Sequence, residues 1–520
     1  MIMRPIGSVL DACASSYPQE IAVVHGDRRM TYSETFDGIR STGRALRALG
    51  LRPGDRIALV MADSPELLNV LFGALWAGLT IVPLNARLAL DDHVYMVEDA
   101  GARALVFDTA LAERGHAILD AVSVEHSIAT DEAAVPEGGH LLSRLQAGQS
   151  GGPGYPDDVD PTSECWIQYT GGTTGLPKGA LHTHQTMLAA MFSCALELGV
   201  EPGEVHAHVA PLTHSGVGYV IPVWMRGGTN IVLGGFDPTR LLGVIEAERV
   251  TSTMMVPTML YVMLNIPGVR DRDLSSLKTI AYGAAPIGRE RLEQALATFG
   301  PVFLQAYGQT EAPLQITMLT KRDHVLARER EEILLSCGRP VTIAEVRIAD
   351  DDLVSVPDGQ VGEIVVRGPH VTVGYANKPE ETAATLRDGW LCTGDLGRRD
   401  EHGYFYIVDR KKDMIISGGF NVYPKEVEQV LFQHPRVADV CVIGVPDDKW
   451  GETVKAVVVP TKGEAPAADE LIALVKERKG PVLAPKTVDF VDAIPLTTVG
   501  KHDKKALRES YWQDRARGVN

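Results

Sequence analysis

Hydrophobic and polar positions change between two periods along the first hundred residues. The short apolar runs RIALVM (56–61) and LTIVPLN (79–85) predict buried strands. Between them, SPELLNVLFGALWAG (64–78) predicts a helix, with Ser64 as its N-cap and Pro65 at its first position. This stretch therefore predicts a strand–helix–strand unit.

The same alternation continues, with a helix expected at DDHVYMVEDAG (91–101) and a strand at ALVFD (104–108). Strands that alternate with helices are typical of a parallel sheet covered by helices on both faces. Residues 131–163 are rich in Gly, Pro, Glu and Asp, and we expect a mobile surface connection there. The pattern predicts an α/β fold in which a large N-terminal domain contains doubly wound parallel sheets.

The pattern changes near residue 410. Before it, VGEIVVRG (361–368) and GYFYIVDR (403–410) predict short strands of a small β-subdomain. After it, the sequence predicts a helix, two strands and a second helix, at 424–435, 438–445, 453–460 and 469–480. We therefore expect two domains, an N-terminal domain over 1–410 and a small C-terminal α+β domain over 411–520.

The composition limits the classes of function. The chain has 520 residues, 45% hydrophobic and 22% charged residues and a formal net charge of −17. This acidic balance argues against nonspecific binding to nucleic acid or anionic membranes. We expect no secretory signal and no membrane span, because no long uninterrupted apolar run is present. The six scattered cysteines are typical of reduced thiols, so we expect a cytoplasmic protein.

The segment YTGGTTGLPKGA (169–180) has the composition of a phosphate-binding loop. Its glycines, hydroxyls and Lys178 can present backbone N–H groups and one ammonium to a polyphosphate. A Walker loop needs a Lys-Ser/Thr pair that opens a helix, but Pro177 and Gly179 flank this lysine. A plain Gly/Thr-rich turn after a strand is the alternative, so the interpretation depends on other motifs.

Several further motifs follow in order along nearly the whole chain. They are AYGAAPI (281–287), QAYGQTEA (305–312), VGEIVVRG (361–368), DGWLCTGDLG (388–397), YIVDRKKDMIISGGFNVYPKEVE (406–428) and PLTTVGKHDKKALR (495–508). Together they resemble the adenylate-forming superfamily, which includes fatty-acid, 4-coumarate and 4-chlorobenzoate CoA ligases, nonribosomal adenylation domains and luciferases. The resemblance implies an AMP-forming acyl- or aryl-CoA synthetase with a mobile C-terminal lid domain.

The resemblance implies roles for the phosphate-handling residues. The loop would hold the β- and γ-phosphates that leave as pyrophosphate, through Thr170, Gly171, Gly172, Thr173, Thr174 and Lys178. Glu311 is similar to the family's Mg²⁺ ligand, with Thr170 as a second candidate, and Thr310 would contact the α-phosphate. A solvated surface carboxylate is the alternative for Glu311.

The nucleoside positions follow from the same resemblance. Tyr307 would present its ring to adenine, Asp395 would accept the ribose hydroxyls and Arg410 would also reach the ribose. The remaining ATP-binding candidates lie in AYGAAPI (281–287) and QAYGQTEA (305–312): Gly283, Ala284, Ala285, Gln305, Ala306 and Gly308. The alternatives are a core aromatic for Tyr307 and a turn residue for Asp395.

Lys501 matches the family's catalytic lysine, which bridges the carboxylate and the α-phosphate during adenylation. Val499 stands where Ser is commoner before Gly-Lys, and a solvated lysine cluster is the alternative reading. The resemblance also implies that the small domain turns after adenylation, with Lys412 at the hinge. Gly418 and Gly419 would then line a path for the pantetheine arm of CoA.

The thiol acceptor and the acid are less closely defined. Trp450 is placed to stack on the CoA adenine and Lys486 to bind a CoA phosphate, although Trp450 could instead pack within the small domain. His214 resembles the gate beside the carboxylate. The predicted acid pocket consists of His214, Ser215, Val217, Gly283 and Gly308, with apolar residues from 215–224 and 312–319. A buried histidine with satisfied hydrogen bonds is the alternative for His214.

The prediction is an ATP-, Mg²⁺- and CoA-dependent ligase of a hydrophobic aryl or medium-chain fatty acid. The alternatives are a stand-alone adenylation enzyme that loads a carrier protein and a silent ATP-binding protein. The intact Lys501, Glu311 and Asp395 argue against the silent protein. A homodimer is expected only from the general frequency of dimers.

Overall fold

The computed structural model describes residues 4–149, 154–156, 158–170, 176–285, 287–417, 420–447, 450–461, 463, 465–496 and 502–512. The helices in this part of the chain are α1 (Ile6–Ser16), α2 (Tyr32–Ala48), α3 (Pro65–Trp76), α4 (Leu90–Ala100), α5 (Ala112–Ala121), α6 (Leu142–Gln146), α7 (His184–Leu198), α8 (Val220–Trp224), α9 (Pro238–Glu248), α10 (Pro257–Leu264), α11 (Arg289–Phe299), α12 (Lys321–Leu326), α13 (Pro379–Thr385), α14 (Pro424–Leu431), α15 (Ala468–Lys479) and α16 (Lys504–Glu509).

The strands are β1 (Ile21–His25), β2 (Arg28–Thr31), β3 (Arg56–Val60), β4 (Thr80–Pro83), β5 (Ala104–Phe107), β6 (His126–Ala129), β7 (His140–Leu141), β8 (Glu164–Thr170), β9 (Lys178–Thr183), β10 (Val205–His208), β11 (Thr229–Val232), β12 (Ser252–Met255), β13 (Thr279–Gly283), β14 (Phe303–Gln309), β15 (Ala312–Leu319), β16 (Arg339–Pro340), β17 (Glu345–Ala349), β18 (Gly362–Arg367), β19 (Gly374–Tyr375), β20 (Leu386–Arg387), β21 (Trp390–Arg399), β22 (Phe405–Arg410), β23 (Ile415–Ser417), β24 (Phe420–Val422), β25 (Val437–Asp447), β26 (Gly451–Pro460) and β27 (Thr487–Phe490).

The chain divides into two compact units. The first comprises Met1–Thr170, Pro177–Val346 and Val366–Leu391, and the second comprises Gly171–Leu176, Arg347–Val365 and Cys392–Asn520. None of the described helices combines the length and the apolar character that crossing a bilayer requires.

Two mixed sheets form the first unit. One has the strand order β16-β15-β14-β13-β12-β10-β11-β1-β2, and its pairs from β14 to β1 are parallel. The other has the order β19-β9-β8-β4-β3-β5-β6-β7, and its pairs from β8 to β7 are parallel. Antiparallel pairs lie at the edges, at β1·β2, β14·β15, β15·β16, β8·β9 and β9·β19. The predicted α/β class with parallel sheets is confirmed.

A shared hydrophobic core joins the two sheets of this unit. Its main cluster contains strand residues of both sheets, such as Val23 and Ile57, together with Phe36 and Phe72 of α2 and α3. Trp224 completes it, with its ring centroid 5.0 Å from that of Phe36. Burial of such large aromatic side chains stabilises the fold by about 2–3 kcal/mol each.

The predicted start of α3 is also correct. The Ser64 hydroxyl accepts a hydrogen bond from the Leu67 amide at 3.1 Å, and Pro65 occupies the first turn. This cap satisfies one of the N–H groups that a helix start leaves without an intrahelical partner.

The prediction for residues 131–163 is partly wrong. This stretch forms the strand β7, which pairs with β6, and the helix α6, whose Leu142 is 6% exposed in the main core. A short apolar segment, His140–Leu145, was enough to dock on α2 despite the polar composition around it. Local burial here outweighed the turn-forming residues on either side.

The second unit contains two smaller sheets. In one, β21 lies between β18 and β22, and β17 pairs with β18. In the other, the order is β24-β23-β26-β25, with β27 parallel to β26. Helices α14 and α15 pack on the second sheet through Val427, Leu431 and Leu471. This matches the predicted helices and strands after residue 410.

Candidate active site

The Thr310–Glu311 pair forms the turn between β14 and β15, where Gln309 pairs with Ala312. β14 runs parallel to β13 up to the pair Gly283–Ala306, so the turn follows the carboxyl end of a strand in a parallel sheet. This is the edge at which open α/β sheets bind ligands.

Three donors from other elements hold this turn. The His182 Nε2 of β9 is 2.8 Å from the Thr310 carbonyl, which fixes the proton on Nε2 because a carbonyl can only accept. The Thr372 amide donates to the Glu311 carbonyl at 2.7 Å. The Tyr375 hydroxyl donates to Glu311 Oε1 at 2.6 Å.

The three donors leave the functional atoms of the turn available. Within the described part of the chain, no hydrogen bond or ion pair reaches Glu311 Oε2 or the Thr310 hydroxyl. A single oriented carboxylate beside substrate phosphates suits the coordination of Mg²⁺, which usually takes one or two protein carboxylates. The residues present therefore fit this ion.

Lys178 and Tyr375 meet beside the turn. β9 pairs with β19 at Ala180–Tyr375, and side chains alternate along a strand, so Lys178, His182 and Tyr375 share one face. The Lys178 ammonium lies 5.4 Å from the centroid of the Tyr375 ring. Thr170 pairs with Lys178 across β8 and β9. The ends of the predicted phosphate loop are thus brought together near Glu311.

The strands β13 and β14 approach each other closely at the predicted adenine positions. A Cβ on Gly283 would lie 2.3 Å from the Ala306 carbonyl oxygen, so only glycine fits there. Ala284 follows with a φ of 64°, in the left-handed region. Tyr307 of β14 is 9% exposed, and Ala285, next to Ala284, lies just after the end of β13.

The Gln305 side chain lies beside the Tyr282 hydroxyl. The Tyr282 hydroxyl is 3.3 Å from Gln305 Oε1 and 2.9 Å from His324 Nε2. His324 Nδ1 lies 2.7 Å from the Thr320 carbonyl, and burial lowers the pKa of His324 to about 4. The neutral ring therefore donates through Nδ1 and accepts from Tyr282 at Nε2, which uses the one hydroxyl proton, so Gln305 Oε1 lies beside that hydroxyl without accepting from it.

The predicted acid-pocket residues lie on two elements of the first unit. Val217 is 2% exposed within a short 3₁₀ helix, Gly216–Tyr219, while Ser215 just before it is half-buried. His214 is exposed, which contradicts the alternative of a buried histidine. Gly308 lies against the backbone of Leu314, whose carbonyl oxygen would be 2.8 Å from a Cβ there.

Leu314 forms the apolar side of this region. It has a φ of 69°, and a Cβ on Gly218 would lie 2.1 Å from Leu314 Cδ2. Its side chain packs on a buried cluster that includes Tyr219, Met254 and Ala281. The segment 312–319 therefore carries the apolar surface that its sequence predicts.

In the second unit, Asp395 and Arg410 form an ion pair. They are opposite each other on β21 and β22, and Arg410 Nε is 2.7 Å from Asp395 Oδ1. The Asp395 side chain is 5% exposed, whereas that of Arg410 is 42% exposed. Thr393 accepts from the Asp395 amide and shapes the bend that carries the carboxylate.

Lys412 lies in the 3₁₀ turn Lys411–Asp413 that follows β22. The Arg508 guanidinium is 2.9 Å from Asp413. Burial raises the pKa of Asp413, but Lys504 and Arg508 outweigh it and leave that pKa lowered. Lys411 contacts Asp351 at 2.7 Å and Glu363 at 3.1 Å. The predicted hinge position is therefore flanked by two ion-paired residues.

Lys501 lies outside the described residues, but the segments on both sides of it are described. Leu496 and His502 form an antiparallel bridge, and His502 Nε2 is 2.9 Å from Asp439 Oδ2. Lys504 is 3.0 Å from Glu428, and its side chain is 14% exposed. Burial alone would lower the pKa of Lys504, but Glu428, Asp409 and Asp413 outweigh it and raise that pKa.

Two predicted CoA-binding residues are also described. Trp450 is 44% exposed and its amide donates to Asp447, so it is not a core residue of the small unit. Lys486 donates from its exposed ammonium to the Pro481 carbonyl at 3.0 Å. Phe420, at the start of β24, is 60% exposed. The predicted residues Gly171, Gly172, Thr173, Thr174, Gly418 and Gly419 lie outside the described residues.

Sequence reasoning missed the three donors of the Thr310–Glu311 turn. His182 lies two residues after the phosphate-loop motif and four after Lys178, and its alternation with Lys178 on one strand was the available signal. Thr372 and Tyr375 follow the VGEIVVRG motif, but nothing in their spacing relates them to a turn about sixty residues earlier.

Comparisons with known proteins agree with these motifs. Residues 10–376 match the family described as AMP-binding enzyme, and residues 426–501 match the AMP-binding enzyme C-terminal domain. A medium/long-chain-fatty-acid–CoA ligase of Mycobacterium tuberculosis is 42% identical over 99% of this chain and 91% of its own length. A feruloyl-CoA synthase of an Amycolatopsis species is 39% identical over 95% of this chain and 96% of its own.

Among solved structures, an amide bond synthetase of Marinactinospora thermotolerans superposes with a TM-score of 0.89. It is 32% identical, and the match covers 98% of this chain and 100% of that one. The resemblance to the adenylate-forming enzymes, the fold and the prediction of an acid–thiol ligase that uses ATP and CoA are confirmed. The chain belongs to the AMP-binding enzyme family.

Proposed function

We propose that this enzyme joins a hydrophobic carboxylic acid to CoA in two steps. In the first, a carboxylate oxygen attacks the α-phosphorus of ATP and pyrophosphate leaves, which gives an acyl-adenylate. In the second, the CoA thiol attacks the acyl carbon, loses its proton, and AMP leaves. The Thr310–Glu311 turn, held by His182, Thr372 and Tyr375, is the observation that carries the proposal.

The first step brings an anion to a polyanion, so fixed cations and dipoles must offset the repulsion. Lys178 and the loop residues Thr170, Gly171, Gly172, Thr173 and Thr174 neutralise the departing pyrophosphate in this proposal. Thr310 donates to the α-phosphate. Lys501 bridges the carboxylate and the α-phosphate, where charge develops in the transition state.

Glu311 holds Mg²⁺ in the proposed mechanism, with Thr170 as a further ligand. When bound, the ion offsets charge on the phosphates of ATP. The support for Glu311 is its carboxylate, which Tyr375 orients through Oε1 while Oε2 has no partner among the described residues.

The nucleoside is bound by a ring, an amide and a carboxylate in this proposal. Tyr307 stacks on adenine, and Gln305 accepts from its amino group. Asp395 accepts from the ribose hydroxyls, and Arg410 holds that carboxylate in place, as their 2.7 Å contact supports. In this proposal the base lies against residues with little or no side chain: Gly283, Ala284, Ala285, Ala306 and Gly308. At Gly283, the Ala306 carbonyl leaves no room for a Cβ.

The acid is a hydrophobic monocarboxylic acid, aromatic or of medium chain length. Support comes from Leu314 and Val217, which give the proposed pocket an apolar surface, and from the relatives named for medium- or long-chain fatty acids and for ferulate. His214 is exposed at the edge of this pocket and is proposed to gate the carboxylate.

The proposed thiol substrate is CoA. Trp450 is 44% exposed and stacks on the CoA adenine in this proposal, and Lys486 presents an ammonium at the surface. Gly418 and Gly419 line the pantetheine path in this proposal. The domain boundary is proposed between 1–410 and 411–520, with Lys412 as the hinge about which the domain 411–520 turns between the two steps. A homodimer and a cytoplasmic location complete the proposal.

The decisive experiment supplies ATP, Mg²⁺ and CoA with a panel of aryl acids and straight-chain acids, and measures the nucleotide product. We expect AMP and pyrophosphate. ADP with orthophosphate would contradict the proposal. A phosphopantetheinylated carrier protein in place of CoA tests the alternative acceptor, and faster transfer to it than to CoA would replace CoA in the proposal.

Lys501→Ala tests the division of labour between the steps. We expect acyl-adenylate formation to fall by about a thousandfold, because a fixed cation at the reacting centre is worth several kcal/mol. Thioester formation from supplied acyl-adenylate should change little. Lys505→Ala, at an exposed lysine of the same segment, is the matched control. Equal loss of both half-reactions in Lys501→Ala would contradict the assignment.

A further inference from the structure

Asp63 joins the carboxyl edges of the two sheets of the first unit. It follows β3 of one sheet, and the segment that follows β10 of the other sheet contains Leu212. The Leu212 amide donates to Asp63 Oδ1 at 3.0 Å, although the two residues are 149 positions apart in the sequence. Leu212 is fully buried, and a buried backbone N–H needs a hydrogen-bond partner. Asp63 supplies that partner from the neighbouring sheet.

The segment after β10 is a tight turn that carries residues of the proposed acid pocket. The Pro211 carbonyl accepts from the amides of His214 and Gly216, at 3.1 and 3.0 Å. A Cβ on Gly216 would lie 2.4 Å from the Ala210 carbonyl oxygen, so the turn is closed tightly enough to require glycine there. His214 is exposed on this turn, and Val217, just after it, is buried. The positions of His214 and Val217 therefore depend on that of the turn.

The residues on both sides of Asp63 are themselves fixed to the sheet. The Ala62 amide donates to Asp108 Oδ2 at 2.7 Å, and Ser64 caps α3. Asp108 is 7% exposed and also accepts from the Leu111 amide at 3.0 Å. Asp63 is thereby held on one sheet while its side chain reaches the turn of the other.

An ionised carboxylate at this position weakens folding. Burial raises the pKa of Asp63 to about 6, while the Leu212 amide and the charge of Arg87 act in the opposite direction. Among the described residues no cation forms an ion pair with Asp63. At neutral pH the folded protein therefore holds a half-buried charge that the unfolded chain would leave in water. An asparagine would accept the same amide without this penalty, so the carboxylate calls for a functional reason.

We propose that Asp63 is a positioning residue for the acid site: its carboxylate holds the turn 211–216 and, through it, His214 and Val217 in the arrangement that binds the acid. A charged acceptor makes a stronger hydrogen bond to an amide than a neutral acceptor does. The turn is therefore in place before the acid binds. Asp63 does not touch the substrate in this proposal, which rests on the proposed function because it concerns the residues proposed to bind the acid.

Asp63→Ala and Asp63→Asn separate the hydrogen bond from the charge. The measurement is the exchange of labelled pyrophosphate into ATP against the concentration of octanoate, an aliphatic acid, or of ferulate, an aromatic one. Asp63→Ala leaves the Leu212 amide without its acceptor, and we expect the KM for the acid to rise about tenfold. Asp63→Asn keeps a neutral acceptor, and its KM for the acid should rise at most about threefold. The KM for ATP should change less than about twofold in both variants, because the ATP residues lie on other elements.

Stability and hydrogen exchange distinguish positioning from a purely structural role. Because Asp63→Asn removes the half-buried charge, its unfolding midpoint in urea at about pH 7.5 should equal or exceed that of the wild type. Hydrogen exchange of the Leu212 amide should be about tenfold faster in Asp63→Ala than in the wild type. A lower midpoint in Asp63→Asn, or unchanged exchange of this amide in Asp63→Ala, would overturn the proposal.

The KM for the acid should also depend on pH through Asp63. As the pH falls through about 6 the carboxylate is protonated and becomes a weaker acceptor. The ratio of KM at about pH 5.5 to KM at about pH 7.5 should therefore be about twice as large in the wild type as in Asp63→Asn. Arg87, whose charge acts on Asp63, and His214 on the turn are present in both proteins, and the acid titrates equally in both assays. Equal ratios would overturn the part assigned to the charge.

Asp237→Ala is the matched control. Asp237 Oδ1 also accepts one backbone amide, that of Arg240 at 2.8 Å, but it caps α9. Its KM for the acid should equal that of the wild type, and a rise as large as in Asp63→Ala would overturn the assignment. An unchanged KM for the acid in Asp63→Ala, or an equal rise in the KM for ATP, would do the same. A wild-type enzyme that exchanges pyrophosphate with no acid of the panel would instead overturn the proposed function.

Discussion

Two regions of the molecule are held in place by different chemistry. In the first unit, neutral groups fix the Thr310–Glu311 turn: an imidazole, a backbone amide and a phenol. In the second unit, ion pairs hold Asp395, the hinge region and the segment after Lys501. Neutral donors add no net charge beside a phosphate, whereas the ion pairs of the second unit offset one another's charges.

The ionic side of this comparison is best tested at Lys504. Its ammonium faces the carboxylates of Glu428, Asp409 and Asp413, and Lys504→Met would remove the cation beside Glu428 and Asp409 while Asp413 keeps Arg508. Breaking a buried pair in this way costs about 3–5 kcal/mol. We expect hydrogen exchange in β25 and β26 to accelerate accordingly, with a lower unfolding midpoint in urea.

Lys505→Met is the matched control, because Lys505 lies 3.8 Å from Glu509 on the exposed side of α16. Its effect should stay within about 0.5 kcal/mol. Equal stability of the Lys504→Met enzyme would show that the buried ions are no stronger a support than the neutral groups.

Acid should lower the folding stability of the two units by different amounts. Burial lowers the pKa of His182, His208 and His370 in the first unit to about 4. Because the unfolded chain protonates near pH 6.5, stability from these neutral rings is complete above that pH and is lost as pH falls toward 4, by up to ~3 kcal/mol per residue.

Two buried carboxylates of the second unit do not lower its folding stability over this pH range. The pKa of Asp413 is lowered below 3.8 and that of Asp409 is raised, so neither loses stability until more acid conditions. Hydrogen exchange at about pH 7 and about pH 5, corrected for intrinsic rates, should show faster exchange in the first unit only. Earlier loss of protection in the second unit would contradict this account.

Tyr375→Phe has the smallest expected effect, and it tests the neutral donors that hold the Thr310–Glu311 turn. It removes one hydrogen bond to the Glu311 carboxylate and keeps the ring beside Lys178. A hydrogen bond to a charged group contributes about 1.5–3 kcal/mol, so kcat/KM for ATP in adenylation should fall about 10- to 150-fold. The unfolding midpoint should change little.

Tyr406→Phe is the control, since its hydroxyl donates to the Asp400 carboxylate at 3.1 Å in the second unit. It should leave adenylation unchanged. An unchanged rate in Tyr375→Phe would show that Glu311 needs no neutral support.

Much of this architecture could be predicted from local pattern. The helix over Pro65–Trp76 begins at Ser64 because a cap and a proline act over a few residues. The motif around Glu311 led to its proposed role in the same way, from a short stretch of sequence. The supports of Glu311 could not be predicted, because His182 and Tyr375 reach it only through the pairing of β9 with β19. The helix α6 was missed because its few apolar residues lie in polar surroundings.

The glycine at 283 has a consequence for how new substrate ranges arise. A Cβ at position 283 would lie 2.3 Å from the Ala306 carbonyl oxygen, so no residue other than glycine fits there. Leu314, which fills the space above Gly218, can be shortened without disturbing a neighbouring backbone. Variation among descendants of this enzyme, natural or made in the laboratory, should therefore accumulate at Leu314 while Gly283 stays unchanged.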